Sequence, residues 1–161
     1  MTPLLLPTQS VYLPGTAVRV EISCPGDLVV THLGSSVREV PCERPGLVDL
    51  GELPVGGYGI AQPSTGASSA VQVCASASDR LRYGFVASFR PGKDAEAVAR
   101  FARRLHLTDI QFYDWAYRHA DLLGGGEEYR DALDQPISLA TVRSLIKALR
   151  AAGTRSIGYA A

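Results

Sequence analysis

Residues 111–119, QFYDWAYRH, gather aromatic, acidic and cationic side chains into one short stretch. Tyr113 and Trp115 offer flat π faces suited to the axial C–H groups of a sugar ring, and Asp114, Arg118 and His119 can hydrogen-bond its hydroxyls. Each residue also has a plainer structural role open to it. Trp115 can fill a core, Asp114 and Arg118 can form an i, i+4 pair, and His119 can be a loop histidine. Taken one at a time the plainer roles win. Taken together, at the C-terminal end of a strand where α/β folds carry their chemistry, they favour a sugar subsite.

The elements that must position this stretch are read from periodicity. After residues 76–80 the pattern alternates strand, helix, strand, helix, strand, the signature of βα units around a parallel sheet. Strands are expected at 83–89, 109–113 and 155–159. Asp94 is expected to cap a first helix that turns Val98, Phe101, Ala102 and Leu105 toward the sheet. A second helix starts at Ser138, presents Val142, Leu145, Ile146 and Leu149, and ends at Gly153. These helices cover one face of the sheet, which leaves Phe85, Ile110, Phe112 and Ile157 for the uncovered side. Glu127 and Glu128 follow Gly124, Gly125 and Gly126 in what reads as a flexible loop.

The first half has a different period. Short β-rich runs at 17–23, 27–33, 37–40, 47–53, 58–62 and 70–75 are separated by Pro and Gly turns, as in a β-sandwich. Val18, Val20 and Ile22 alternate with Arg19 and Glu21, so one face of that strand is buried and the other wet. Tyr58, after Leu53 and Pro54, resembles the tyrosine corner of immunoglobulin-like sandwiches. With only Tyr12 and Tyr58 as aromatics, this half reads as scaffold rather than as a carbohydrate-binding surface.

Composition excludes several classes. Sixteen Lys plus Arg balance sixteen acidic residues, and the short cluster of Arg100, Arg103 and Arg104 reads as a solvated helix face, so no nucleic-acid partner is expected. No apolar run approaches the ~20 residues of a membrane span. The apolar residues at 1–7 lack a basic leader and a cleavage site, and the three cysteines, Cys24, Cys42 and Cys74, lack CxxC spacing. Both features point to reduced thiols and a cytoplasmic setting, with a Cys24 to Cys42 bridge as the lesser alternative.

The run 111–119, followed by Tyr129, then residues 138–142, SLATV, and Ala152 and Gly153 leading into Tyr159, resembles glycoside hydrolase family 66. Residues 12–18, YLPGTAV, are similar to the opening strand of that family's sandwich, and residues 82–85, RYGF, to its first barrel strand. The family contains dextranases and cycloisomaltooligosaccharide glucanotransferases. The resemblance implies an immunoglobulin-like β-sandwich at 4–78, then at 79–161 the first three β/α units of an incomplete (β/α)8 TIM barrel, truncated after strand three. It also adds Tyr159 to the substrate-binding candidates Tyr113, Asp114, Trp115, Arg118 and His119. This sequence departs from the family at Ala87 and Ser88, where an acidic residue is usual, at Ala116 in place of Met, and at Ala160, where an Asn follows the tyrosine.

A retaining glycosidase needs a carboxylate nucleophile and a second carboxyl about 5 Å away. Asp114 is the one strong acidic candidate at a strand end, so no catalytic residue is assigned, and neither a cofactor nor a metal is expected. The resemblance implies an N-terminal fragment of a dextranase-like enzyme acting on α-1,6-linked glucan, an oligosaccharide or a polysaccharide. Its partners would be that glucan and a missing C-terminal barrel portion or a second copy. The alternative is a non-catalytic remnant of a truncated or split gene that serves binding or association. A flavodoxin-like domain is disfavoured because no Gly-rich phosphate loop opens either helix.

Overall fold

The structure, a computed structural model, describes residues 3–76 and 78–160. Parts of two readings, the N-terminal run 1–7 and the end of the chain at Ala161, fall outside the described residues, as does Ala77 beside the expected domain boundary. Among the described residues the chain is mostly β-sheet with two helices, and it divides into two compact units between Arg80 and Leu81.

In the first unit, β1 (Leu5–Pro7), β2 (Arg19–Ile22) and β5 (Gly46–Asp49) form an antiparallel sheet in the order β1-β2-β5. A second antiparallel sheet has the order β4-β3-β6-β7, with β3 at Leu28–His32, β4 at Ser35–Val40, β6 at Gly56–Gln62 and β7 at Ala67–Val73. Val20 and Ile22 of one sheet share a single apolar cluster with Leu28, Val30, Ile60 and Val71 of the other. The alternation of β2 puts Arg19 and Glu21 outside, as expected. Sequence reading misses β1, a strand of only three residues that ends in proline.

Both aromatics of this unit are buried. The Tyr12 hydroxyl donates to the Arg19 carbonyl at 2.6 Å, and the Tyr58 hydroxyl donates back to the Pro54 carbonyl at 2.9 Å. Neither ring is offered to a ligand. No disulfide joins Cys24, Cys42 and Cys74, and burial, then the charge of Asp27, raises the pKa of Cys42. The hairpin between β3 and β4 turns through Leu33 (φ 48°) and Gly34 (φ 84°), a two-residue reversal of the kind that needs positive φ at both positions.

In the second unit β8 (Tyr83–Val86), β9 (Asp109–Phe112) and β12 (Arg155–Gly158) run parallel in the order β12-β9-β8. Helix α1 (Ala95–Arg104) starts where the Asp94 carboxylate accepts from the Ala97 N–H at 2.9 Å. Helix α2 (Leu139–Ala151) starts where the Ser138 hydroxyl accepts from Thr141 N–H at 3.4 Å, and Gly153 leaves it at φ 73°. Both caps fall where the residue chemistry puts them. Among the described residues no helix is long and apolar enough to cross a membrane.

Both helices share a core with Val86, Ile110 and Phe112, so these strand residues lie on the covered face. Ile110 and Phe112 are therefore not on the uncovered side, contrary to expectation. The period of two explains it: Phe85, Gln111 and Ile157 are register partners on the opposite face, where Phe85 is 68% exposed. The helical stripe holds at Ala102, which is buried, and at Val98, which packs against the core, and is corrected at its two other positions. Helix α1 buries Ala95, Ala99 and Ala102, while Phe101 is 61% exposed and Leu105 is exposed as well. Small side chains let α1 lie close to its neighbours, and that contact turns the bulkier residues to its flank. Ile146 of α2 is likewise exposed.

At the start of the sheet Asp109 is 1% exposed, and its carboxylate accepts from Arg155 Nε at 2.7 Å and from the Thr108 hydroxyl at 2.7 Å. A two-stranded hairpin, β10 (Glu128–Arg130) with β11 (Pro136–Ser138), precedes α2. The expected flexible loop thus gives way to structure at Glu128. Ile137 is buried in the helix-side core and Tyr129 packs against it, and this burial anchors two strands too short to be read from pattern.

Candidate functional site

Strand β9 ends at Phe112, and its pairing continues for one more residue, with Tyr113 N–H donating to the Val86 carbonyl at 2.8 Å. Asp114 then takes φ 54°, a left-handed conformation that Asp tolerates better than most residues. This reversal carries residues 115–119 away from the strand line. Trp115 is half-buried, and its Nε1–H donates to the Tyr159 carbonyl at 2.9 Å. The Tyr159 N–H in turn donates to the Phe112 carbonyl at 3.2 Å, and the Tyr113 and Tyr159 rings lie 5.5 Å apart at a tilt of 37°.

The result is a cleft of about 320 Å³ beyond the C-terminal ends of β9 and β12. Tyr113, Asp114, Trp115, Arg118, His119 and Tyr159 all line it. Sequence reading does not find the opposite wall, Asp131 and Leu133 from the β10–β11 turn, because nothing in their spacing ties them to residues 111–119. Ala87 and Ser88 are not among the lining residues. Their carbonyls accept from Lys93 Nζ at 2.5 and 3.2 Å, and burial, then the charge of Arg90, lowers the Lys93 pKa.

The i, i+4 pair of Asp114 with Arg118, the plainer alternative to a sugar contact, does not form among the described residues. Arg118 Nη1 donates to the Tyr117 carbonyl at 2.6 Å and to the Arg130 carbonyl at 3.0 Å, and the guanidinium lies 4.3 Å from the Tyr117 ring centroid. Its geometry is fixed by backbone acceptors, which leaves Asp114 without an ion pair among the described residues. Asp131 is a buried acid that holds its own turn together, since its Oδ1 accepts from the Leu133 and Gln135 N–H groups, each at 2.8 Å. Burial, then the charge of Asp131, raises the pKa of the neighbouring Tyr129.

Chemically, the cleft joins aromatic faces to a rim of hydrogen-bonding groups, with Asp114 as its one carboxylate not engaged in holding the backbone. Such a site can hold a polyhydroxylated ring by stacking and hydrogen bonds. Among the described residues no three His, Cys, Asp or Glu side chains gather in a set that could hold a metal ion.

A model of glycosyl hydrolase family 66 matches residues 61–161, more than half of the chain and the whole stretch that forms the cleft. The chain belongs to that family. A curated relative, the cycloisomaltooligosaccharide glucanotransferase of Niallia circulans, is 28% identical over 102 residues, which cover 58% of this chain and 10% of the relative. A crystal structure of a Paenibacillus sp. cycloisomaltooligosaccharide glucanotransferase, complexed with cycloisomaltoheptaose, superposes with a TM-score of 0.73 at 22% identity. That match covers 97% of this chain and 27% of the solved one, and it is a likeness of fold. The chain thus spans about a tenth of the curated relative and about a quarter of the solved one.

Proposed function

We propose that the chain is the N-terminal part of a dextranase-like glycoside hydrolase acting on α-1,6-linked glucan, and that it supplies substrate contacts rather than catalytic carboxylates. The observation that carries this reading is the convergence of Tyr113, Asp114, Trp115, Arg118, His119 and Tyr159 on one cleft at the strand ends. Two antiparallel sheets around one core, with the Tyr58 to Pro54 hydrogen bond, support an immunoglobulin-like sandwich over 4–78. Sequential parallel strands with helices on one face support the opening β/α units of a barrel over 79–161. Asp114 without a second free carboxylate in the cleft fits a binding role, because retaining hydrolysis needs two.

The test is titration of the purified chain with isomaltooligosaccharides, with α-1,4-linked maltooligosaccharides as the control. Binding selective for the α-1,6 series, lost in Trp115→Ala, and no reducing sugar released from dextran are the expected results. Equal binding of both series, or α-1,6 binding untouched by Trp115→Ala, overturns the proposal.

A second reading, an association module, has one observation in its favour. Strands β8 and β12 pair only with β9 among the described residues, so each has an open edge that accepts a further strand, from a missing barrel portion or from a second copy. Sedimentation at low micromolar concentration separates the two readings. A monomer that binds sugar favours the first, and a dimer that binds none favours the second.

A further inference from the structure

The β10–β11 hairpin meets the cleft loop at three points. The Tyr129 hydroxyl donates to the Trp115 carbonyl. The Tyr129 ring meets the Tyr117 ring edge to face, centroids 5.6 Å apart at 83°. Arg118 reaches across to the Arg130 carbonyl at 3.0 Å. Gly125 lies in the seam: a Cβ there would stand 2.6 Å from Tyr117 Cδ2 and 2.6 Å from Tyr129 Cβ, so no side chain fits between the two rings. Tyr129 itself does not line the cleft. Trp115 is therefore held from two sides, through its indole N–H by the Tyr159 carbonyl and through its own carbonyl by Tyr129.

From this geometry we infer that Tyr129 is a positioning residue for Trp115, and that Gly125 is the glycine that lets it reach. The inference rests on the reading of the cleft as a sugar site, since positioning matters only if the indole is a stacking platform. The gain from such a pin is entropic. A loop that must order its platform at the moment of binding loses affinity, whereas one pinned beforehand does not. The β10–β11 hairpin is then what fixes the orientation of that platform. The Tyr117 ring that Tyr129 meets edge to face also lies under the Arg118 guanidinium, so the pin acts on the rim as well as on the stacking face.

Trp115 is the single tryptophan of the chain, so its fluorescence reports on this residue alone. The experiment compares the full chain with Tyr129→Phe, which removes one oxygen, and with Gly125→Ala, which wedges the seam between Tyr117 and Tyr129 without touching Trp115. In both variants the expected results are a red-shifted Trp115 emission, faster acrylamide quenching, and isomaltooligosaccharide affinity lowered about fivefold, the loss typical of one hydrogen bond. Trp115 emission and quenching unchanged in the folded Tyr129→Phe variant would overturn the inference. So would an altered emission with sugar affinity intact. If the parent chain binds no isomaltooligosaccharide, the sugar reading fails, and the emission and quenching of the two variants still decide whether Tyr129 holds Trp115. If Gly125→Ala does not fold, Tyr129→Phe decides alone.

Discussion

The indole N–H of Trp115 donates to the carbonyl oxygen of Tyr159 at 2.9 Å, which joins the loop after β9 to the end of β12. The acceptor is backbone, so the tie does not depend on the Tyr159 side chain. Tyr159→Ala is therefore expected to remove the ring that faces Tyr113 while leaving Trp115 in place. On the proposed function, isomaltooligosaccharide affinity should fall severalfold, by the ~1 kcal/mol or more that a lost aromatic contact costs, with the Trp115 emission maximum unchanged. Titration calorimetry and fluorescence on the same sample check both halves of this expectation.

Leu33 occupies φ 48° at the tip of the β3–β4 hairpin, 91% exposed and followed by Gly34 at φ 84°. A leucine has a steric cost in that conformation and buries nothing in return, whereas Asn-Gly is the favoured pair for such a turn. Leu33→Asn should raise the stability of the first unit by about 0.5–1 kcal/mol. Urea denaturation reads the gain, and an unchanged or lowered midpoint counts against this account of the turn.

Burial, and then the charge of Arg82, hold the His106 imidazole below its ordinary value. The folded chain therefore binds this proton less readily than the unfolded chain does. Stability is full above the ordinary imidazole value of about 6.5 and declines as pH falls from there toward the lower folded value. His106 sits at φ 53°, which asparagine also tolerates. The thermal midpoint of the parent chain should drop more between pH 7.5 and about 5.5 than that of His106→Asn, in scans at constant ionic strength.

Where local chemistry and tertiary packing agree, the sequence is readable. Asp94 and Ser138 cap their helices, Val20 and Ile22 alternate inward, and Tyr58 closes its corner, each through contacts within a few residues or by strict periodicity. The misses share a different cause. Phe101 and Leu105 satisfy a helical stripe, yet three alanines win the buried face because small residues allow closer approach. Ile110 and Phe112 lie on the side opposite to the expected one because a run apolar on alternate positions does not say which face the helices cover. Strands β10 and β11 are three residues each, held by Tyr129 and Ile137 against a core assembled from distant segments. The aromatic half of the candidate site is legible in residues 111–119, but its far wall at Asp131 and Leu133 depends on that unread hairpin.

The contact between Asp109 and Arg155 links the first residues of two neighbouring parallel strands, which are also register partners. A parallel pair held only by backbone ladder and apolar side chains can slide by two residues and keep every side chain on its proper face. Here such a slide would set Arg155 against Gln111 or beyond the strand end and leave a carboxylate buried without its cation. The ion pair thus works as an index mark, penalising the misaligned sheet far more than it rewards the aligned one. Because Tyr159 is four residues beyond that mark, the alignment it enforces at the foot of the strands also decides which carbonyl meets the Trp115 indole at their other end.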